Sequence, residues 1–390
     1  MKGNRIAYID GIRGMAALIV VLYHYLLSFY PELFPFNPNY IHTDNSLQDA
    51  FIYSPLNIFF NSGFAVCLFF VISGYALSYK YFITKDRQYL RESVIRRYFR
   101  LEIPILFSVV VSYILLKTEC YSNLYTATTY TKSTFWFSHL WNMSPDFFKM
   151  LKEGLYSSLF LGGTSSYNPV LWTMLIEFLG SMLVFATLAL FGDSSKRYLV
   201  YLLLIVILHT NCLPAFIIGL ALCDYYHSKE RNNFPISITA LIFALAIYVG
   251  SYQKIGASGI WNILDIISNA DKSFPFIIGA VLFVVAVING KWLERFFSSP
   301  LLQFLGKISF SMYLIHLLII GSLACSLFSW FYAIMHLSYG VSFMITFFIS
   351  LSFTIGASFL MYKYIDKNGI KFSKWIYTRF FTLKTKEEGK

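Results

Sequence analysis

The stretch YIDGIRGMAALIVVLYHYLL, residues 8–27, decides how this chain folds. About 20 mostly apolar residues suffice for a helix to cross a bilayer, and this run meets that length while carrying Asp10, Arg13 and His24. Lys2 and Arg5 precede it as in a secretory signal. The run is longer than a signal core and has no small-residue cleavage site, so it is expected to remain as the first membrane helix.

Runs of the same kind recur almost to the C-terminus. Of the 390 residues, 57% are hydrophobic, 19% aromatic and only 13% charged, and the mean hydropathy is +0.59. These values lie outside the range of ordinary soluble domains. Ten candidate spans follow, at 12–29, 58–79, 103–116, 171–191, 198–209, 213–225, 236–252, 274–287, 308–331 and 341–364. The expected fold is all-α, a polytopic transmembrane bundle of about ten spans over 1–370, followed by a basic cytoplasmic tail at 371–390.

The net charge of +11 does not indicate nucleic acid, because the Lys and Arg residues cluster at the ends of apolar runs, as loop-retaining charges do. Lys80, Lys85, Arg87, Arg91, Arg96, Arg97 and Arg100 follow the second run, and Lys371, Lys374, Arg379, Lys384 and Lys386 follow the last. Both groups belong on the cytoplasmic side, as do Lys2, Arg5 and the basic links near Lys196, Arg231 and Lys291. The five cysteines, Cys67, Cys120, Cys212, Cys223 and Cys325, show no paired spacing, so neither a zinc site nor a disulfide framework is expected. No metal is expected. The outer segment 117–170 repeats Phe147, Leu151, Leu155 and Leu159 at helical spacing, which suggests an amphipathic helix lying at the outer interface. An aromatic platform for sugar rings, drawing on Trp136 and Trp141, is the alternative.

An ionisable group inside a span costs on the order of 2.5 kcal/mol or more, so each needs a partner, a wet cavity or a task. Arg13 and His24 are eleven residues apart, close to a whole number of turns, which places them on one helix face about 16 Å apart. Asp10 joins that face and is positioned to pair with Arg13. Glu177 interrupts the fourth run, and Ser309, Ser311, Tyr313 and His316 polarise the ninth. Each has a structural reading, an anchor or a helix-to-helix hydrogen bond. Together they suggest a site for proton transfer. Ser73 and Gly74 either permit close helix packing or line a passage for a thin ligand. Arg97 and Arg100, one turn apart, are suited to phosphate.

Five blocks in order resemble the acyltransferase family three of integral-membrane enzymes: YIDGIRGMAALIVVLYH with Arg13 and His24, FFVISGYALS, RRYFR with Arg97 and Arg100, LWTMLIEF with Glu177, and ISFSMYLIH ending at His316. Met174, Leu175 and Phe178 depart from the family pattern, where polar or acidic residues are common, and leave the role of Glu177 open. The resemblance implies transfer of an acyl group, commonly acetyl, from cytoplasmic acyl-CoA to a hydroxyl of an extracytoplasmic carbohydrate or glycan. By that resemblance Arg97 and Arg100 hold the CoA phosphates, the pantetheine arm passes Ser73 and Gly74, Tyr313 belongs with the donor site, and Arg13 holds CoA or the developing oxyanion. His24 is a general base or a transient acyl carrier, and Glu177 and His316 orient it or the acceptor. A bacterial inner membrane with both termini cytoplasmic is the expected location. A proton-coupled transporter uses the same buried groups without an acyl donor, and stands as the alternative.

Overall fold

The computed structural model describes residues 6–34, 54–162, 165–228, 233–253 and 273–381, and every regular element among them is helical. The first three long helices are α1 (Ala7–Phe29), α2 (Ser62–Thr84) and α3 (Arg87–Lys117); α4 covers 147–160, and α5 is Trp172–Phe191. Shorter helices follow: α6 (Arg197–Ile207), α7 (Pro214–Ser228), α8 (Ile236–Gly250), α9 (Phe274–Asn289) and α10 (Lys291–Phe297). The chain closes with the long α11 (Pro300–Ile334) and α12 (Tyr339–Phe380). Lys2, Arg5, Arg231, Lys384 and Lys386, used above to orient the chain, lie outside the described residues.

The expectation of about ten spans is not confirmed. Six of the described helices are long and apolar enough to cross a membrane, or seven if α9 and α10, bent by 102° at Gly290, form one span. All the runs near 198–209, 213–225 and 236–252 do become helices, but of 11, 15 and 15 residues. At 1.5 Å per residue they are about 17–23 Å long, short of a hydrocarbon layer of roughly 30 Å. The helix ends are set locally. The Asn61 side chain accepts from the Phe64 amide at the start of α2, and Asp86 accepts from the Gln88 amide at the start of α3, supplying acceptors to otherwise orphaned donors.

Several helix pairs approach at backbone distance, and two of them bear on the site. A Cβ on Gly14 would lie 2.6 Å from the Gly306 amide nitrogen, and one on Gly306 would lie 2.0 Å from the Asp10 carbonyl oxygen, so α1 meets α11 through glycine. Gly74 and Gly219 do the same for α2 and α7: a Cβ on Gly74 would lie 2.0 Å from the Phe216 carbonyl oxygen. Small residues at such crossings are how membrane helices gain packing where lipid offers no hydrophobic drive.

The helix expected to lie at the outer interface instead runs lengthwise along α3. Phe147 packs edge-on against Tyr113, Gly154 faces Leu106 and Val109, and the Leu155 carbonyl accepts from the Tyr98 hydroxyl at 2.7 Å. From Tyr113 back to Tyr98 is about 22 Å of helix. Its outward residues Phe147, Phe148, Leu155, Tyr156 and Phe160 remain exposed while Met150, Glu153, Ser158 and Leu159 are buried. The wide turn Glu153–Ser157 shifts the apolar stripe away from the regular spacing read in the sequence.

Candidate active site

The glycine contact between α1 and α11 sets the register of the site. His24 lies ten residues beyond Gly14, and His316 ten residues beyond Gly306, so two parallel helices that touch at the glycines bring the two imidazoles level. Their rings are 4.9 Å apart between centroids, and His316 Nε2 lies 3.0 Å from His24 Nδ1. His24 Nδ1 also lies 2.9 Å from the Val20 carbonyl oxygen, and His316 Nδ1 lies 3.0 Å from the Met312 carbonyl oxygen.

A carbonyl only accepts, so both Nδ1 atoms carry the proton in the neutral pair. His316 Nε2 is then a bare acceptor for His24 Nδ1–H, and His24 Nε2 is left as an unprotonated lone pair. Among the described residues this nitrogen has no protein partner, and His24 lines a cavity of about 1000 Å³. Trp136 leans over the His24 ring at 5.5 Å, and Trp141, Trp172, Asn57, Asn61 and His139 share the walls.

Tyr313 also lines this cavity. Its hydroxyl donates to the Val170 carbonyl at 2.8 Å and meets the Thr173 hydroxyl at 2.8 Å. One turn further along α5, Glu177 forms an ion pair with Arg97 and accepts from the Ser73 hydroxyl at 3.0 Å. Arg97 is buried, and its Nε has no hydrogen-bond partner among the described residues. Among the described residues Arg13 and Arg100 make neither a hydrogen bond nor an ion pair; the positive charge of Arg13 acts on both Arg97 and Arg100, and the Asp366 carboxylate also acts on Arg100. The site thus has a cluster of three guanidiniums at one end and the imidazole pair at the other, joined by Ser73, Glu177, Thr173 and Tyr313.

Several sequence expectations look different in place. Asp10 does not pair with Arg13; the ion pairs among the described residues are Arg87 with Asp193, Arg96 with Glu92, Arg97 with Glu177 and Arg197 with Asp224. The Asp10 backbone is instead the surface on which Gly306 packs. Gly74 turns its Cβ position into α7, the close-packing alternative, while the neighbouring Ser73 hydroxyl reaches Glu177. Arg13, Arg97, Arg100, Ser73 and Gly74 do not line the large cavity, whereas Tyr313, grouped with them from sequence, does.

Sequence reasoning missed Thr173, Trp172 and the carboxylate of Glu153. Glu153 is buried and accepts from the Ser165 hydroxyl and, at 3.0 Å each, from the Ser166 and Tyr167 amides. Asn168 is fully buried and donates to the Leu314 carbonyl at 2.8 Å and to the Ser108 hydroxyl at 3.0 Å. These bonds tie the turn before α5 to α3, α4 and α11, and so hold the Val170 carbonyl under Tyr313. The only signal in the sequence was Asn-Pro ahead of an apolar run, which marks a turn and not a partner. Among the described residues, no group of three His, Cys, Asp or Glu side chains is placed to hold a metal ion.

The family described as an acyltransferase domain, acyltransferase family three, matches residues 6–363. The chain belongs to that family. Its similarity to characterised members is low but extends along the chain. It is 24% identical over 453 residues to "Acyltransferase R4" of a Phoma species, covering 95% of each chain. It is 23% identical to "O-acetyltransferase PaAT-1" of Phomopsis amygdali, covering 98% of this chain and 86% of the relative. "Acyltransferase clz18" of Cochliobolus lunatus is 24% identical over 83% of this chain and 84% of its own. No solved structure matches it. This acyltransferase-3 protein is therefore an integral-membrane acyltransferase.

Proposed function

We propose that this acyltransferase moves an acyl group, acetyl in the simplest case, from cytoplasmic acyl-CoA to a hydroxyl of a carbohydrate or glycan that enters the large cavity from the other side of the membrane. The observation that carries the reading is the bare Nε2 of His24, facing the cavity and backed by His316. In this reading His24 Nε2 takes the proton of the acceptor hydroxyl as its oxygen attacks the thioester carbonyl. The carbon–sulfur bond breaks, and the same proton passes to the departing thiolate. His316 holds the His24 ring and accepts its Nδ1–H throughout, the orienting part that a carboxylate plays in a hydrolase triad.

The donor fits the guanidinium cluster. Among the described residues Arg13 and Arg100 make no hydrogen bond or ion pair and the Arg97 Nε is unpaired, with the Asp366 carboxylate acting on Arg100 from a distance; guanidinium forks suit the phosphates of CoA. The arm of CoA then extends outward past Ser73, Thr173 and Tyr313 toward His24. Glu177 is assigned to holding Arg97. This arrangement requires the arginine end, and with it both described chain ends, to face the cytoplasm. The relatives found are fungal, so the proposal is limited to a membrane whose arginine side meets an acyl-CoA pool.

The test is release of free CoA from labelled acetyl-CoA by purified protein in liposomes, with and without glycan or glycoside acceptors, comparing wild type with His24→Ala. Acceptor-dependent release that is lost in folded His24→Ala is the expected result. Acceptor-dependent release that survives in His24→Ala overturns the role of His24, and a protein that neither binds nor cleaves acyl-CoA of any chain length overturns the donor.

A further inference from the structure

A second cavity, of about 340 Å³, adjoins the first and is lined by Glu119, Tyr121, Asn123 and Ser144 among others. Both cavities are bounded by Leu140, Trp141, Asn142 and Met143, so one short segment separates them. Trp141 stands in that segment, 6% exposed, with its backbone in the left-handed region at φ 55°. A bulky residue there is strained and persists only when its surroundings over-determine it.

Three contacts do so. The indole stacks on Tyr121 with centroids 4.1 Å apart and planes 7° from parallel. Its Nε1–H donates to the Tyr167 carbonyl at 2.9 Å. Its ring lies against Gly321, where a Cβ would come within 2.2 Å of the indole. Gly321 belongs to the wide turn Ile320–Ala324 that follows His316 on α11, so one helix both orients His24 and seats the partition. Wide turns of this kind recur at functional sites.

We propose that Trp141 is the residue that limits acceptor size: its indole closes the His24 cavity on one side, and the cavity behind it is a latent subsite for a further polar unit of the acceptor. This rests on the hydroxyl-acylation reading above. Behind the partition the Tyr121 hydroxyl is bonded to Ser112 and the Asn123 amide nitrogen to the Phe137 and Leu140 carbonyls, which leaves the Glu119 carboxylate and the Ser144 hydroxyl to meet a hydroxyl-rich extension such as an additional sugar ring. Removing the indole joins the two spaces without touching His24 or His316. Glycine at 141 also suits the left-handed backbone.

The experiment uses the full-length protein in liposomes with acetyl-CoA and two probes, p-nitrophenyl glucoside and p-nitrophenyl maltoside. The ratio of kcat/KM for maltoside over glucoside should rise by about 10-fold or more in Trp141→Gly, and adding Ser144→Trp, which fills the second cavity, should cancel the rise. Trp141→Leu, which retains more packing, should raise the ratio in the same direction if the glycine variant does not fold. An unchanged ratio in folded variants overturns the proposal. If wild type and variants acylate neither probe, the carbohydrate acceptor is what fails, and calorimetric binding of the maltoside decides the partition separately. Binding about 10-fold tighter in Trp141→Leu than in wild type upholds it, and equal binding overturns it.

Discussion

His316 Nε2 lies 3.0 Å from His24 Nδ1, although the residues are 292 positions apart. Because His316 Nδ1 is committed to a carbonyl, His316 acts on His24 as an acceptor and fixes which nitrogen faces the cavity. His316→Ala should therefore lower kcat by about 100-fold or more while the KM for acyl-CoA stays within a small factor. Steady-state kinetics in liposomes, with the thermal midpoint as a folding control, checks this. A parallel rise in donor KM would assign His316 to donor binding.

The pair of Arg97 and Glu177 separates a structural role from a donor-binding one. Glu177→Gln leaves a buried guanidinium without its counter-charge and should cost about 3 kcal/mol of stability. The double variant Arg97→Met with Glu177→Met should recover most of that, since apolar replacement of a buried pair is close to neutral. CoA affinity should not recover with it. Thermal unfolding and CoA binding on wild type, Arg97→Met, Glu177→Met and the double variant complete the cycle; recovery of both would make the pair purely structural.

Gly74→Ala places a methyl group 2.0 Å from the Phe216 carbonyl oxygen. Both groups belong to helix backbone, so α2 and α7 must move apart, at a cost of about 1–3 kcal/mol. Thermal midpoint and activity should fall together. Activity that falls at unchanged stability would place Gly74 in a donor passage instead.

Glu153→Gln removes a carboxylate that accepts from Ser165, Ser166 and Tyr167. An amide supplies one acceptor oxygen in place of two, and lost charge-assisted bonds of this kind cost about 1.5–3 kcal/mol each. The wall carrying Ser165 and Ser166 should loosen, raising acceptor KM about tenfold with donor KM unchanged. Separate titration of each substrate distinguishes the two.

Glu102 on α3 is 3% exposed, and among the described residues neither of its carboxyl oxygens has a hydrogen-bond partner. An unsatisfied buried carboxyl costs free energy, so Glu102→Leu should stabilise the protein by about 1–3 kcal/mol. A higher thermal midpoint with activity retained is the expected result. Loss of activity at raised stability would give Glu102 a functional part.

The apolar runs alone determined that this is a helical membrane protein, because transfer of a 20-residue stretch into hydrocarbon depends on its own composition and on little else. They also exposed the unusual residues, Arg13, His24, Glu177 and His316, since an ionisable group in such a run is costly wherever the helix packs. What length could not settle was the number of spans: the 11- and 15-residue helices read as crossings from hydropathy, yet fall short in rise. Which polar groups meet was decided only in three dimensions. Glycine contacts too close for any other residue set α1 against α11 and so level His24 with His316. The salt bridge of Arg97 went to Glu177, 80 residues away, while the helical neighbour Asp10 left Arg13 free. Trp141 became a partition because Tyr121, Tyr167 and Gly321 surround it. Contacts like these depend on the approach of helices distant in the chain, a distance that local periodicity does not encode.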